Sequence, residues 1–184
     1  MKLDPLKTKR AAAWKCYKDC PVQTVLILKK IDITNLVKLS KKFKLNMLLC
    51  YCLCKSANNI EEFHYRLIDN QLYKFDNMCV NMVIKGKDGL IYLCDVPFDD
   101  NFENFCKNYY EYVGKCHEEN KNLSLNNVAS ISTSNLSSYN FHACLNTSCQ
   151  AFNVPLFIWS KFYTKKFRKY INLSFQFNHI QMDG

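Results

Sequence analysis

The sequence predicts a mixed α/β (α+β) sandwich, and three features of its hydrophobic pattern predict it. Apolar residues recur at helical spacing in the first third, as in Leu36, Val37, Leu39 and Phe43. The period falls towards two from Phe63 onward, in short runs separated by turn residues. After one long amphipathic segment, the last third alternates again as a series of strands.

The elements follow in order. Arg10 to Cys20 opens on an Ala run and carries Trp14 and Tyr17, which suits a short helix or an irregular arm. Val22 to Ile31, rich in aliphatic and β-branched residues, reads as a strand. Asp32-Ile-Thr-Asn offers a cap for an amphipathic helix reaching Phe43. Asn46 to Ser56 is more uniformly apolar and reads as a second, buried helix, with a strand as the alternative. Short strands are expected at Phe63 to Leu67, Leu72 to Phe75, Val80 to Ile84 and Leu90 to Leu93. Turns fall at Asp69-Asn70 and Gly86-Lys87-Asp88-Gly89. Asp99 to Glu118 places Phe102, Phe105, Tyr109, Tyr112 and Val113 on one stripe of a long helix. The strands expected thereafter are Val128 to Ser134, Phe141 to Thr147, Pro155 to Tyr163 and Tyr170 to His179.

Composition bounds the function classes. A chain of 184 residues, 48% hydrophobic and 22% charged, has the balance of a folded globule and the length of one domain, taken as 1–184. Its net charge of +9 favours anionic partners, whether nucleic acid, an anionic membrane face or a phosphorylated cofactor such as coenzyme A, and charge alone does not choose among them. Nucleic acid is disfavoured, because it would rest on charge alone. Eleven cysteines would suggest a disulfide scaffold behind a secretory signal, but Met-Lys-Leu-Asp-Pro-Leu-Lys has no apolar core. Reduced thiols and a cytoplasmic protein with no membrane span are therefore expected. The spacings Cys16/Cys20 and Cys50/Cys52/Cys54 lack the paired C-x2-C of structural zinc, so no metal is expected.

The closing residues, Phe177-Asn178-His179-Ile180-Gln181-Met182-Asp183-Gly184, place an imidazole at a strand end with a carboxylate four residues on. Histidine suits a general base because its ordinary pKa of about 6.5 lies near working pH. Taken alone, HxxxDG is a weak pattern that reads more readily as an ordinary loop histidine.

This ending resembles the His-His-x-x-x-Asp-Gly signature of the chloramphenicol acetyltransferase family, with Asn178 in place of the first His. Phe63-His64-Tyr65-Arg66, then Leu72-Tyr73-Lys74-Phe75-Asp76, resemble two of its strands. Pro155 followed by Ser160-Lys161 resembles its Pro-x-x-x-x-Gly-Lys strand, with the interval to His179 kept.

The resemblance implies a two-layer sandwich of a mixed sheet flanked by helices, assembled as a homotrimer with active sites between subunits. It also implies a coenzyme A-dependent O-acyltransferase moving acetyl from acetyl-CoA to a small-molecule hydroxyl. In that scheme His179 is the base and Ser138 the oxyanion donor, and Asp183 pairs with Arg10 to hold the His loop. Tyr17, Tyr139 and Ile158 fall at the acceptor pocket, and Lys161 and Phe162 at the cofactor. Asn46 and Leu48 stand where relatives present Lys and Tyr to coenzyme A, and Ile158 stands for a Thr. Relatives also continue beyond Gly184 into a helix, so a truncated member with exposed apolar surface beside the loop is expected. A catalytically weak descendant that binds a ligand or protein as a trimer is the alternative.

Overall fold

The computed structural model describes residues 1–146 and 154–183. The main sheet is built from β2 (Thr24–Asp32), β10 (Arg168–Asn178), β8 (Leu156–Ser160), β7 (Ala129–Leu136), β5 (Met78–Lys85) and β6 (Ile91–Pro97), in that spatial order. The pairs β5/β7 and β7/β8 are parallel and the others antiparallel, so the sheet is mixed. The short β9 (Tyr163–Lys165) forms a hairpin with the start of β10. A second, three-stranded sheet runs β1 (Lys2–Leu3), β4 (Gln71–Lys74), β3 (Tyr65–Ile68).

Strand alternation separates the two faces of the main sheet. Val80, Met82, Ile131, Phe157, Trp159, Ile171 and Phe177 fall on one face and join the main core with α3 (Leu45–Asn58) and α4 (Phe102–Glu119). Phe157 and Phe175 are register partners on that face, stacked 4.4 Å apart. The opposite face carries Ser130, Ser132, Ser160, Asn172, Ser174 and Gln176 among aliphatics.

The long helix α4 is amphipathic, burying Phe105, Tyr109 and Cys116. Its start is set by Asn101, whose Oδ1 accepts from the backbone N–H of Glu103 and Asn104 at 2.9 and 3.1 Å. It ends at Asn120 in the left-handed conformation, φ +50°. Asn101→Ala is expected to cost about 1 kcal/mol, read as a lower denaturant midpoint with unchanged slope.

Several expected boundaries move. The helix expected to reach Phe43 is α2 (Thr34–Leu39), and Phe63 and His64 belong to a 3-10 turn ahead of β3. Val22 precedes β2, and Asp99 precedes α4. Leu90 lies in the turn before β6. The single strand expected from Pro155 to Tyr163 divides into β8 and the start of β9, with Lys161 and Phe162 between them, and the strand expected from Phe141 is not formed over residues 141–146, Thr147 lying outside the described residues. That segment instead crosses the non-helical face, held by side chains of β10. Cys144 N–H donates to Ser174 Oγ at 2.9 Å and Asn146 N–H to Gln176 Oε1 at 2.7 Å.

The described cysteines are free thiols. Burial pushes the Cys50 and Cys94 thiols up to about 12, so they behave as small core residues. Among the described residues no helix is long and apolar enough to cross a membrane.

Candidate active site

His179 follows the last residue of β10, and the turn that carries it is closed by its neighbours. Asn178 Oδ1 accepts from Ile180 N–H at 2.8 Å, while Asn178 O accepts from the N–H of Gln181 and Met182. Asn178 Nδ2 also donates to Gln23 Oε1 at 2.8 Å, and Gln23 O accepts from His179 N–H at 2.7 Å. Gln23 reaches further, donating to the carbonyls of Tyr17 and Lys18. It thereby fastens the end of α1 (Ala11–Tyr17) to the histidine turn. Neither Gln23 nor the turn-closing role of Asn178 was legible in the sequence, since both depend on β2 pairing with β10.

Below the turn, Ile180 is 2% exposed and packs with Tyr65, Leu67 and Leu72 in a second core that Trp14 and Tyr17 border. Met182 is 4% exposed, so the turn buries its own apolar side chains.

Arg10, itself 4% exposed, gathers the turn with four hydrogen bonds. Nε donates to Ile180 O at 3.0 Å and Nη2 to His179 O at 2.7 Å. The same guanidinium grips Asp183 in a fork, Nη1 to Oδ2 at 2.5 Å and Nη2 to Oδ1 at 3.0 Å. Hydrogen bonding from Arg10 is the main cause that lowers the Asp183 carboxyl below its ordinary value, against a smaller opposing effect of burial.

The imidazole stacks on the Tyr17 ring, centroids 4.2 Å apart and 15° from parallel. Nδ1 is buried and 3.3 Å from Asp183 Oδ1, without the alignment of a hydrogen bond, so the contact is electrostatic. The His179 side chain keeps 30% of its surface. Nε2 has no partner among the described residues and is not one of the buried atoms, so it reaches solvent.

Ser138 lies in the turn after β7 and is exposed, as is Tyr139. Register fixes its distance from the histidine. Leu136 on β7 pairs with Ser160 on β8, and Gln176 on β10 pairs with Leu156. At about 3.3 Å per residue, Ser138 and His179 stand at opposite ends of the sheet, roughly 30 Å apart along the strands. One chain thus brings Tyr17, Arg10, Asp183 and His179 together and leaves Ser138 away from them.

The Ser138 end holds two concavities, one on each side of the sheet. A small cavity of about 90 Å³ on the helical side is lined by Leu45, Asn46, Leu49, Ser137, Trp159 and Phe162. Asn46 Oδ1 is buried there without a partner, while Nδ2 meets Tyr109 Oη at 3.3 Å. Leu48 is in the core at 3% exposure. Lys161 is exposed, its backbone N–H bound to Tyr139 O at 2.8 Å. Ile158, expected at the acceptor pocket, is 4% exposed beside Ser174 in the sheet and offers a ligand no surface within one chain. No group of three or more metal-ligating side chains occurs among the described residues.

Comparison with known proteins places this geometry. A family model described as chloramphenicol acetyltransferase matches residues 2–184. A solved structure of a chloramphenicol acetyltransferase superposes with a TM-score of 0.82 at 16% identity, covering 100% of this chain and 92% of the other. The dihydrolipoamide acetyltransferase of Azotobacter vinelandii gives 0.67 at 18% identity, covering 94% and 80%. The cubic core of a pyruvate dehydrogenase multienzyme complex gives 0.69 at 17% identity, with the same coverage. Among curated proteins, none matches the chain.

Proposed function

The chain belongs to the chloramphenicol acetyltransferase family, and from that premise we propose that it transfers an acetyl group from acetyl-CoA to the hydroxyl of a small molecule, with His179 as general base. The observation that carries the proposal is the state of that imidazole. Its Nδ1 face is buried against Asp183, its ring lies flat on Tyr17, its backbone is gripped by Arg10, and Nε2 is left open. A base held so rigidly loses little freedom when it meets a substrate proton.

In this reaction Nε2 accepts the hydroxyl proton as the oxygen attacks the thioester carbonyl, and the carbonyl becomes a tetrahedral oxyanion. Ser138 Oγ donates a hydrogen bond to it. Collapse breaks the carbon–sulfur bond, and the departing thiolate takes the proton back from Nε2, leaving the enzyme as it began.

Because Ser138 and His179 stand far apart within one chain, a site that uses both draws them from different copies, as in a homotrimer with sites at its seams. Leu28, Val83, Ile91 and Leu93, all exposed on the non-helical face, supply apolar surface for such a seam. The cavity lined by Asn46, Ser137 and Phe162 suits the end of the acyl donor's arm, and the exposed Lys161 is the chain neighbour of its lining residues Ser160 and Phe162. Leu48 is in the core and Asn46 is engaged with Tyr109, so neither replaces a cationic donor contact.

The test is thiol release from acetyl-CoA with chloramphenicol and a panel of hydroxyl and amine acceptors. Ser138→Ala is expected to lower kcat about 10²-fold with little change in KM, since the bond forms only as the oxyanion does. A raised KM with unchanged kcat would place Ser138 in ground-state binding instead.

A further inference from the structure

The second concavity at the Ser138 end lies on the non-helical side of the sheet, with a volume of about 560 Å³. Its walls include Lys30, His142, Ser160, Tyr163, Lys165 and Asn172. The two concavities share Ser160. Ser137 borders one and Asn140 the other, so the turn carrying Ser138 runs between them.

The floor of this groove is polar but already satisfied. Asn172 Nδ2 donates to Phe141 O at 2.7 Å, and Asn172 Oδ1 accepts from Tyr163 Oη at 3.3 Å. Ser160 Oγ donates to Lys161 O and accepts from Asn172 N–H. The charged rim is not satisfied. Among the described residues no carboxylate lines the groove, and the nearby Asp32 is taken by Arg168 at 3.0 Å. Lys30 Nζ stands 3.8 Å above the Tyr170 ring, a contact that fixes the ammonium without neutralising it. Lys165 and His142 have no ion-pair or hydrogen-bond partner among the described residues.

We propose that this groove holds the anionic group, a phosphate or carboxylate, of the acceptor whose hydroxyl is acetylated, with Lys30 and Lys165 as its anchors. The assignment rests on the acetyl-transfer reading above and names its substrate class. Donor on the helical side, acceptor on the other and Ser138 between them is the arrangement a direct transfer needs. The volume fits a small acceptor, and uncompensated cations around a concavity select against neutral ones.

Two measurements test it. Pyrophosphate binding by calorimetry is expected in the wild type and in His179→Ala, and weakened at least about 10-fold in Lys30→Gln/Lys165→Gln and by added salt. Thiol release is expected to favour glycerol 3-phosphate over glycerol by at least about 10-fold in kcat/KM, with the preference lost in the double variant. Pyrophosphate bound equally well by the double variant, displaced by coenzyme A, or not bound at all would overturn the proposal. So would equal rates for the two glycerols. Release with no acceptor in a wild type that still binds pyrophosphate through these lysines removes the reaction and keeps the anion site. Transfer without anion binding does the reverse.

Discussion

His179→Ala is expected to reduce acetyl transfer by about 10³-fold, the upper part of the range for a positioned general base, while the protein keeps its fold. The side chain retains 30% of its surface, stacks on Tyr17 and lies beside the Asp183 carboxylate, and belongs to neither hydrophobic core, so its removal leaves the cores filled. Stability should shift by less than about 1.5 kcal/mol, mainly from the lost stacking. Kinetics and a denaturation curve on the same preparation check both halves. A large fall in rate with an equal fall in stability would make His179 a structural residue.

Arg10→Met is expected to act the other way, through structure first. It removes all four bonds that gather the turn, leaving the carbonyls of His179 and Ile180 without donors beside a side chain that is 4% exposed. A loss of about 3 kcal/mol follows, together with activity, because the histidine turn loses its anchor. In a chain of this size that is a fall in Tm of about 10 °C. Arg10→Lys should rescue little, since an ammonium cannot span Asp183 and two carbonyls.

The same pair sets an acid limit. The Asp183 carboxyl is lowered in the folded state from its ordinary value of 3.8, so its share of stability is complete above that value and disappears as pH falls through the lower folded one. Its side chain is 64% exposed, which screens the pair, so Asp183→Asn should cost less than Arg10→Met. The stability difference between wild type and Asp183→Asn is expected to start shrinking as pH falls below 3.8 and to vanish once pH is below the lowered folded value. A difference that stayed unchanged there would mean that Asp183 stabilises the turn by something other than its ionised carboxylate.

Much of the fold could be read from local pattern, because α4 and the central strands carry periodicities that tertiary contacts reinforce. The apolar stripe of Phe105 and Tyr109 was legible for this reason, as was the turn at Asp69-Asn70, both residues of which have positive φ. The segment from Phe141 was not. Its alternation mimics a strand, yet its amides bind Ser174 and Gln176 side chains 30 residues away. Period alone does not distinguish a ladder partner from a side chain. The two-residue β1 was missed because its register with β4, Lys2 opposite Tyr73, has no local signal.

The site divides similarly. His179 and Asp183 stand out as a local spacing. Their pairing with Arg10, 173 residues away from Asp183, was legible only through family resemblance. Gln23 was invisible because its side chain and carbonyl meet the histidine turn only once β2 pairs with β10, a pairing the sequence does not name. The opposed positions of Ser138 and His179 follow from strand direction and register, and composition carries no information about either.

Mixing subunits tests this opposition most directly. His179→Ala and Ser138→Ala proteins, each with little activity of its own, are unfolded together, refolded at equal ratio and assayed for thiol release. If each site takes its histidine from one copy and its serine from the next, random assembly restores about a quarter of wild-type activity. Mixed oligomers that form but gain no activity would contradict the account, placing both groups in one chain or removing one of them from the reaction.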